Sequence, residues 1–306
     1  MRTLVLGGCG FIGSHVAESL FAAGHQVSVF ARPNADRRNL ESLQESVEFI
    51  AGDFLNAEDI RRAVSDAEVV IHLVGSTLPG SSLDNPVFDI QTNVVASVSL
   101  FKACVEAKVK KVVYVSSGGT VYGVPKADLI NEGHTLDPIN PYGLSKLSVE
   151  KYLGIYSYQY GIDHTVLRLS NPYGSRQRPG SGQGVIASWM DCIRHGRAIE
   201  IWGDGSTVRD YLTVGDAASA IVLAAESTSC SSILNVGSGQ GHTLSQVLGL
   251  VEDAAGQPAR IVRRDVRKVD VPRNVLDVTL IRKELEWVAK TSLAQGVEEM
   301  WQEGAR

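Results

Sequence analysis

Tyr142 and Lys146 stand four residues apart in the run Asn140-Pro141-Tyr142-Gly143-Leu144-Ser145-Lys146. That spacing puts both side chains on one helix face, and Pro141 fits a helix start. An unperturbed tyrosine has a pKa near ~10, too high for a base at neutral pH, and a neighbouring ammonium favours its phenolate. The pair is therefore a candidate proton-transfer device. A second signal lies at the other end of the chain, where Leu4-Val5-Leu6 leads into Gly7-Gly8-Cys9-Gly10-Phe11-Ile12-Gly13. A glycine-rich turn between strand and helix binds a dinucleotide pyrophosphate. Gly7 permits the tight turn, Gly10 lets backbone approach the pyrophosphate and Gly13 lets helix pack on strand. Either signal alone is weak. Together, in this order, they indicate an oxidoreductase-type active site.

These residues must be positioned by a regular frame, and the first half of the sequence predicts one. Strand patterns cover residues 3–6, 26–30, 47–50, 69–74 and 111–115, and helical spacing covers 11–23, 57–64 and 87–107. A further helix runs over 142–160 and a strand over 164–169, followed by a Gly-, Pro- and Arg-rich loop at 171–184. Continuous apolar strands between amphipathic helices mean a parallel sheet covered on both faces. The expected fold is α/β, a Rossmann-like doubly wound parallel sheet with a smaller C-terminal α/β substrate-binding lobe. Residues 1–170 plus about 206–240 form the dinucleotide-binding part, and about 171–205 with 241–306 the lobe. Ligands in such sheets sit at the carboxyl ends of the strands, where each motif falls.

The 306 residues allow a sizeable core, and 44% hydrophobic with 21% charged residues is ordinary for a globular protein. A net charge of −5 argues against nucleic acid or an anionic membrane as the main partner. Cys9, Cys104, Cys192 and Cys230 lie far apart, which fits neither a disulfide framework nor a zinc site. The seven histidines show no ligand spacing, so no metal is expected. No secretory leader or membrane span is predicted, and a reduced, cytoplasmic setting fits best.

By Gly7-x-x-Gly10-x-x-Gly13 and Tyr142-x-x-x-Lys146, the chain resembles the extended short-chain dehydrogenase/reductases over nearly its whole length. It is most similar to their nucleotide-sugar epimerases and dehydratases, and among those to the UDP-glucose (UDP-galactose) 4-epimerase type. Gly52-Asp53, Thr92-Asn93-Val94, Thr120-Val121-Tyr122-Gly123, Asn171-Pro172-Tyr173-Gly174, Val208-Arg209-Asp210-Tyr211 and Arg267-x-x-Asp270-Val271-Pro272 support the resemblance. It implies NAD as cofactor, with Phe11 and Ile12 in the glycine turn, Asp53 and Phe54 near the adenine, and Leu73, Val74, Gly75, Asn93 and Ser116 along the dinucleotide. Tyr142 would be the acid/base, and Lys146 would also bond the nicotinamide ribose. Asn171, Arg209, Tyr211, Arg267 and Asp270 would hold a nucleotide sugar, by preference a UDP-sugar. Asn274 would lie near the sugar. The implied reaction is 4-epimerisation through a 4-keto intermediate, in a homodimer joined by the 87–107 and 142–160 helices.

Two positions depart from the family pattern. The second strand usually ends on an acid that accepts the adenosine ribose hydroxyls. Ala31 stands there, followed by Arg32, which keeps NADP open beside NAD. The usual catalytic Ser or Thr is replaced by Gly118, leaving Ser117 or Thr120 to orient the substrate hydroxyl. Gly119 and Thr120 occupy the places of the dehydratases' acid pair, so elimination is disfavoured. An NADP-dependent keto-sugar nucleotide reductase and a non-catalytic nucleotide sensor are the competing readings.

Overall fold

The computed structural model describes residues 1–180, 184–230, 232–265 and 271–304. Strand and helix alternate through the first half: β1 (Arg2–Leu6), α1 (Phe11–Ala22), β2 (Gln26–Ala31), a 3-10 segment (Arg38–Leu43), β3 (Glu48–Ala51), α2 (Ala57–Val64) and β4 (Val69–His72). Then come α3 (Ser81–Asp84), α4 (Pro86–Asp89), a π-turn (Ile90–Val95), α5 (Ala96–Glu106), β5 (Lys111–Ser117), α6 (Pro141–Tyr160) and β6 (Asp163–Leu169). The remainder comprises β7 (Asn171–Tyr173), α7 (Val185–Arg194), β8 (Ile199–Trp202), β9 (Val208–Thr213), α8 (Val214–Glu226), β10 (Ile233–Val236), β11 (Gly241–Thr243) and α9 (Leu244–Ala255). It closes with β12 (Ile261–Arg264), β13 (Arg273–Asn274), α10 (Thr279–Leu285) and α11 (Leu293–Glu303).

Among the described residues, seven strands form one parallel sheet in the order β10-β6-β5-β4-β1-β2-β3. From β1 the chain winds outward to β3, then restarts at β4 on the other side of β1. The crevice at the carboxyl ends of β1 and β4 is thus the switch point at which such sheets bind ligands. Burial explains the apolar runs: β4 is buried throughout, and so is β5 up to Ser116. One face is covered by Val16, Ala17 and Leu20 of α1 with Ala217, Ile221 and Ala225 of α8. The other is covered by Ile60 of α2, Leu100 and Phe101 of α5, and Val149 and Leu153 of α6. A separate apolar cluster joins Ile186, Trp189 and Ile193 of α7, Ile199 and Ile201 of β8, Val247 and Val251 of α9, and Val297 of α11.

Three segments differ from the sequence expectation. The 87–107 helix is split, because α4 passes through a π-turn before α5 begins; apolar periodicity does not register one widened turn. The 171–184 loop opens with a strand, β7, whose Asn171 pairs with Tyr211 of β9. The strand expected over 69–74 stops at His72, since Leu73 and Val74 run on beside Gly7.

Helix α6 is held at both ends. Asn140 accepts from the Gly143 N–H at 2.8 Å, and Gly161 stops the helix with a left-handed φ of +72°. Along its length, Glu150 forms an ion pair with Arg168 of β6 at 2.7 Å, each side chain only 1% exposed. Ser116 also donates to Glu150, Arg168 Nη1 donates to the Tyr122 hydroxyl at 3.0 Å, and Tyr122 donates to Asn235 at 2.6 Å. Among the described residues, no helix is long and apolar enough to cross a membrane.

Removing one partner of a buried pair strands the other's charge, so Arg168→Leu is expected to destabilise the protein by about 3–5 kcal/mol. Denaturant unfolding checks this, and an unchanged midpoint would contradict it.

Candidate active site

The glycine turn is constrained by conformation at Gly7 and by space at Gly13. Gly7 has a φ of +84°, and a methyl on Gly13 would lie 2.2 Å from the Gly7 carbonyl oxygen. Gly10 caps α1 without a side-chain hydrogen bond, and no acidic residue stands in the first turn. The N–H groups at the start of a helix have no intrahelical acceptors, so this end suits an anion. A methyl on Gly7 would touch Val74 N at 3.5 Å, and one on Gly75 would touch Lys146 Nζ at 3.9 Å. Gly7, Leu73, Val74, Gly75 and Lys146 therefore form one continuous wall from the glycine turn to the ammonium. That cradle fits a dinucleotide.

Lys146 Nζ donates to the Val115 carbonyl at 3.0 Å and lies 5.1 Å from the Tyr114 ring centre and 5.7 Å from that of Tyr142. Burial lowers its pKa to about 8, against the opposing pull of Glu150 and Asp89. Burial also pushes Tyr142 up to about 12, and Asp89 adds to the rise. The sequence led us to expect a tyrosine lowered by its lysine. In the protein without cofactor, loss of water outweighs that attraction, so at neutral pH Tyr142 is a phenol and Lys146 mostly an ammonium.

Asp89 belongs to a cluster that sequence reasoning missed. It is fully buried and accepts from Thr77 Oγ1, Ser145 Oγ and, at 3.0 Å, Asn93 Nδ2. Asn93 Oδ1 in turn accepts from the Ser76 N–H at 3.0 Å. The cluster joins the segment after β4, the π-turn and α6 between Tyr142 and Lys146. The one signal in the sequence was an acid four residues before Asn93, on the same face of the expected helix.

The hydroxyl candidates divide. Ser116 is buried and committed to Glu150. Ser117 is half-buried. Thr120 Oγ1 is buried and, among the described residues, has no hydrogen-bond partner. Thr120 lies against the start of α6, since a methyl on Gly143 would meet the Thr120 carbonyl oxygen at 2.8 Å. At Gly118 a methyl would lie 2.6 Å from Leu276 Cδ1. The space for a side chain there is taken.

Strand β9 aligns the remaining residues. Its register sets Arg209 beside Asn274 and Tyr211 beside Asn171. Asn171 Nδ2 donates to the Asp210 carbonyl at 2.9 Å, and Arg209 Nη1 to the Val208 carbonyl at 2.8 Å. Asn274 is buried and donates to the Gly118 carbonyl at 3.1 Å, leaving Oδ1 unpartnered among the described residues. Arg267 and Asp270 lie outside the described residues. Asp53 is exposed and accepts from the Leu55 N–H at 3.0 Å. Phe54 is buried against the His72 ring, and Arg32 is exposed at the end of β2.

Chemically, the arrangement offers a dinucleotide wall ending at an ammonium, a phenol one helical turn away, and an unpaired hydroxyl nearby. Comparison with known proteins agrees. The model of the NAD dependent epimerase/dehydratase family matches residues 3–237. The UDP-glucose 4-epimerase of Mycolicibacterium smegmatis is 36% identical over 302 residues, covering 97% of this chain and 96% of that protein. The crystal structure of UDP-glucose 4-epimerase from Thermotoga maritima with UDP-glucose superposes with a TM-score of 0.94 at 34% identity, covering 100% of this chain and 99% of that one. The Thermus thermophilus UDP-glucose 4-epimerase in complex with NAD gives a TM-score of 0.91 at 34% identity, covering 99% and 98%.

Because Leu276 fills the space beside Gly118, a serine there is expected to overpack the site and destabilise the protein by about 1–3 kcal/mol rather than add activity. A Gly118→Ser variant that is as stable as the parent and more active would contradict this packing.

Proposed function

Because this chain belongs to the NAD dependent epimerase/dehydratase family, we propose that it is an NAD-dependent UDP-sugar 4-epimerase of the UDP-glucose/UDP-galactose type. The observation that carries this reading is the unbroken wall from Gly7 to Lys146, with Tyr142 one turn before the lysine. The wall binds NAD, with the pyrophosphate at the glycine turn and the start of α1. Bound there, NAD supplies a reversible hydride acceptor for the sugar carbon.

The chain's own residues manage the proton. The Tyr142 oxygen takes the proton of the sugar 4-hydroxyl and returns it after the 4-keto sugar has turned over. The Lys146 ammonium favours the Tyr142 phenolate that must exist before that proton is taken, and Tyr142 is a phenol for as long as the sugar is a ketone. The unpartnered Thr120 Oγ1, with Ser117 beside it, orients the sugar oxygen. Asn171, Arg209 and Tyr211 receive the nucleotide diphosphate along β9, a role in which arginine's paired donors match phosphate. Neither Gly119 nor Thr120 is an acid, so water is not eliminated from the intermediate.

We further propose a homodimer. Val87, Ile90 and Val95 are 63%, 49% and 54% exposed, and Leu144 and Ile155 on the adjacent α6 are 55% and 54% exposed. Such a patch marks an interaction surface, and a two-fold axis would pair it with itself. Four free cysteines suit a reducing cytoplasm.

Incubation with UDP-glucose is expected to yield UDP-galactose with no net consumption of cofactor, read by chromatography and NMR. Net consumption would favour a reductase. Tyr142→Phe should lower turnover about 10²–10⁴-fold while NAD stays bound; retained activity would remove Tyr142 from the mechanism. Light scattering should give twice the chain mass at micromolar concentration, and a monomer would overturn the proposed dimer.

A further inference from the structure

The wall described above accounts for the pyrophosphate and nicotinamide ends of the cofactor, and leaves the adenosine ribose end unexplained. In a doubly wound sheet that ribose lies at the carboxyl end of the second strand. Here β2 ends on Ala31, which is half-buried, and its carbonyl accepts from the Gly52 N–H at 3.0 Å. The strand end thus carries no carboxylate of its own. Arg32 follows, exposed, its side chain with no hydrogen bond, ion pair or ring contact among the described residues.

The next turn is equally cationic. Arg37 stacks on the Phe49 ring of β3, 3.3 Å from its centre. Arg38 grips Asp36, with Nη2 2.7 Å from Oδ2 and Nε 3.1 Å from Oδ1. Arg178, from the loop after β7, reaches the same Asp36 at 3.0 Å. The acid of this turn, Asp36, is therefore already occupied by two guanidiniums. Its pKa is held at about 2, chiefly by the hydrogen bond from Arg38. It does not replace the missing ribose acceptor.

This cluster sits at the glycine turn. Asn39 Nδ2 donates to the Cys9 carbonyl at 3.2 Å, and the Gly7 N–H donates to the Phe30 carbonyl at 3.1 Å. Burial raises the Cys9 thiol most, while the charges of Arg37 and Asp36 also act on it, in opposite directions. Both charges therefore lie close to where the pyrophosphate would bind.

We infer that this corner is a subsite for a phosphate on the ribose 2′-oxygen, with Arg32 as its main partner, so that the cleft takes NADP as well as NAD. The inference rests on the dinucleotide reading of the glycine turn. Losing the acid removes the repulsion that normally excludes a 2′-phosphate, and the Arg32 guanidinium offers it two parallel donors. Arg37, pinned on Phe49, adds positive potential without having to move. The epimerase cycle consumes no cofactor, so either dinucleotide could serve it, and binding discriminates them where turnover would not.

The test is direct titration of the full chain, freed of nucleotide, with NAD, NADP, adenosine 5′-monophosphate and adenosine 2′,5′-bisphosphate. NADP should bind within about tenfold of NAD, and the bisphosphate more tightly than the monophosphate. Arg32→Ala should weaken NADP and the bisphosphate about tenfold and leave NAD and the monophosphate unchanged. Arg32 is exposed, so folding should survive, and a thermal melt confirms it. Ala31→Asp, which restores the acid while keeping Arg32, should weaken NADP selectively. NAD binding with no NADP binding, or equal weakening of both by Arg32→Ala, would overturn the subsite and leave the epimerase reading intact. Binding of neither dinucleotide would overturn both.

Discussion

The fully desolvated ion pair between Arg168 and Glu150 is the constraint on which the arrangement of this site depends. Burying two charges is expensive, and their attraction repays it only when the remaining donors and acceptors are satisfied. Here they are. Glu150 takes two Arg168 nitrogens and Ser116, while Arg168 also reaches Tyr122 and the Glu132 carbonyl. The partners come from β5, β6, α6 and the segment leading from β5 to α6. No one of these elements can shift without stranding a charge in the others. Helix α6 is thereby pinned to the sheet in the middle of its length.

Asp89 does the same work nearer the start of α6. Its carboxyl group gathers donors from the segment after β4, the π-turn and α6 itself. The π-turn is part of this device, since a widened turn lets Asp89 and Asn93 address one polar cluster; such turns concentrate at functional sites. The Asp89 anchor, at Ser145, lies between Tyr142 and Lys146, whose own electrostatics follow from burial. Desolvation raises the phenol and lowers the ammonium, so the pair rests as acid and cation until a ligand changes the surroundings.

Much of this was legible in the sequence. The parallel sheet was readable because strands buried on both faces lose their alternation and become apolar runs. The glycine turn was readable because Gly7 takes a left-handed φ and Gly13 has no room for a Cβ, and glycine meets both conditions. Helix α6 was readable from Pro141 at its start, whose effect is local; the caps at Asn140 and Gly161 came from the structure. The short β7 was not, because its partner β9 lies some forty residues on and pairs with it only in the folded chain.

What the sequence by itself determined is therefore whatever depends on neighbours along the chain: the α/β alternation, the glycine turn between β1 and α1, and a tyrosine and lysine on one helix face. What only the tertiary structure decided is whatever depends on groups distant in sequence. Gly118 reads as a missing hydroxyl, yet the fold shows Leu276 occupying the space where a side chain would go. Asp89 reads as one more acid, yet it is the buried centre of a cluster drawn from three segments. Ser116 and Ser117 are adjacent and alike, yet the pleat of β5 commits the first to Glu150 and leaves the second half-buried. Burial and hydrogen-bond satisfaction are properties of the assembled chain, and they alone separate these outcomes.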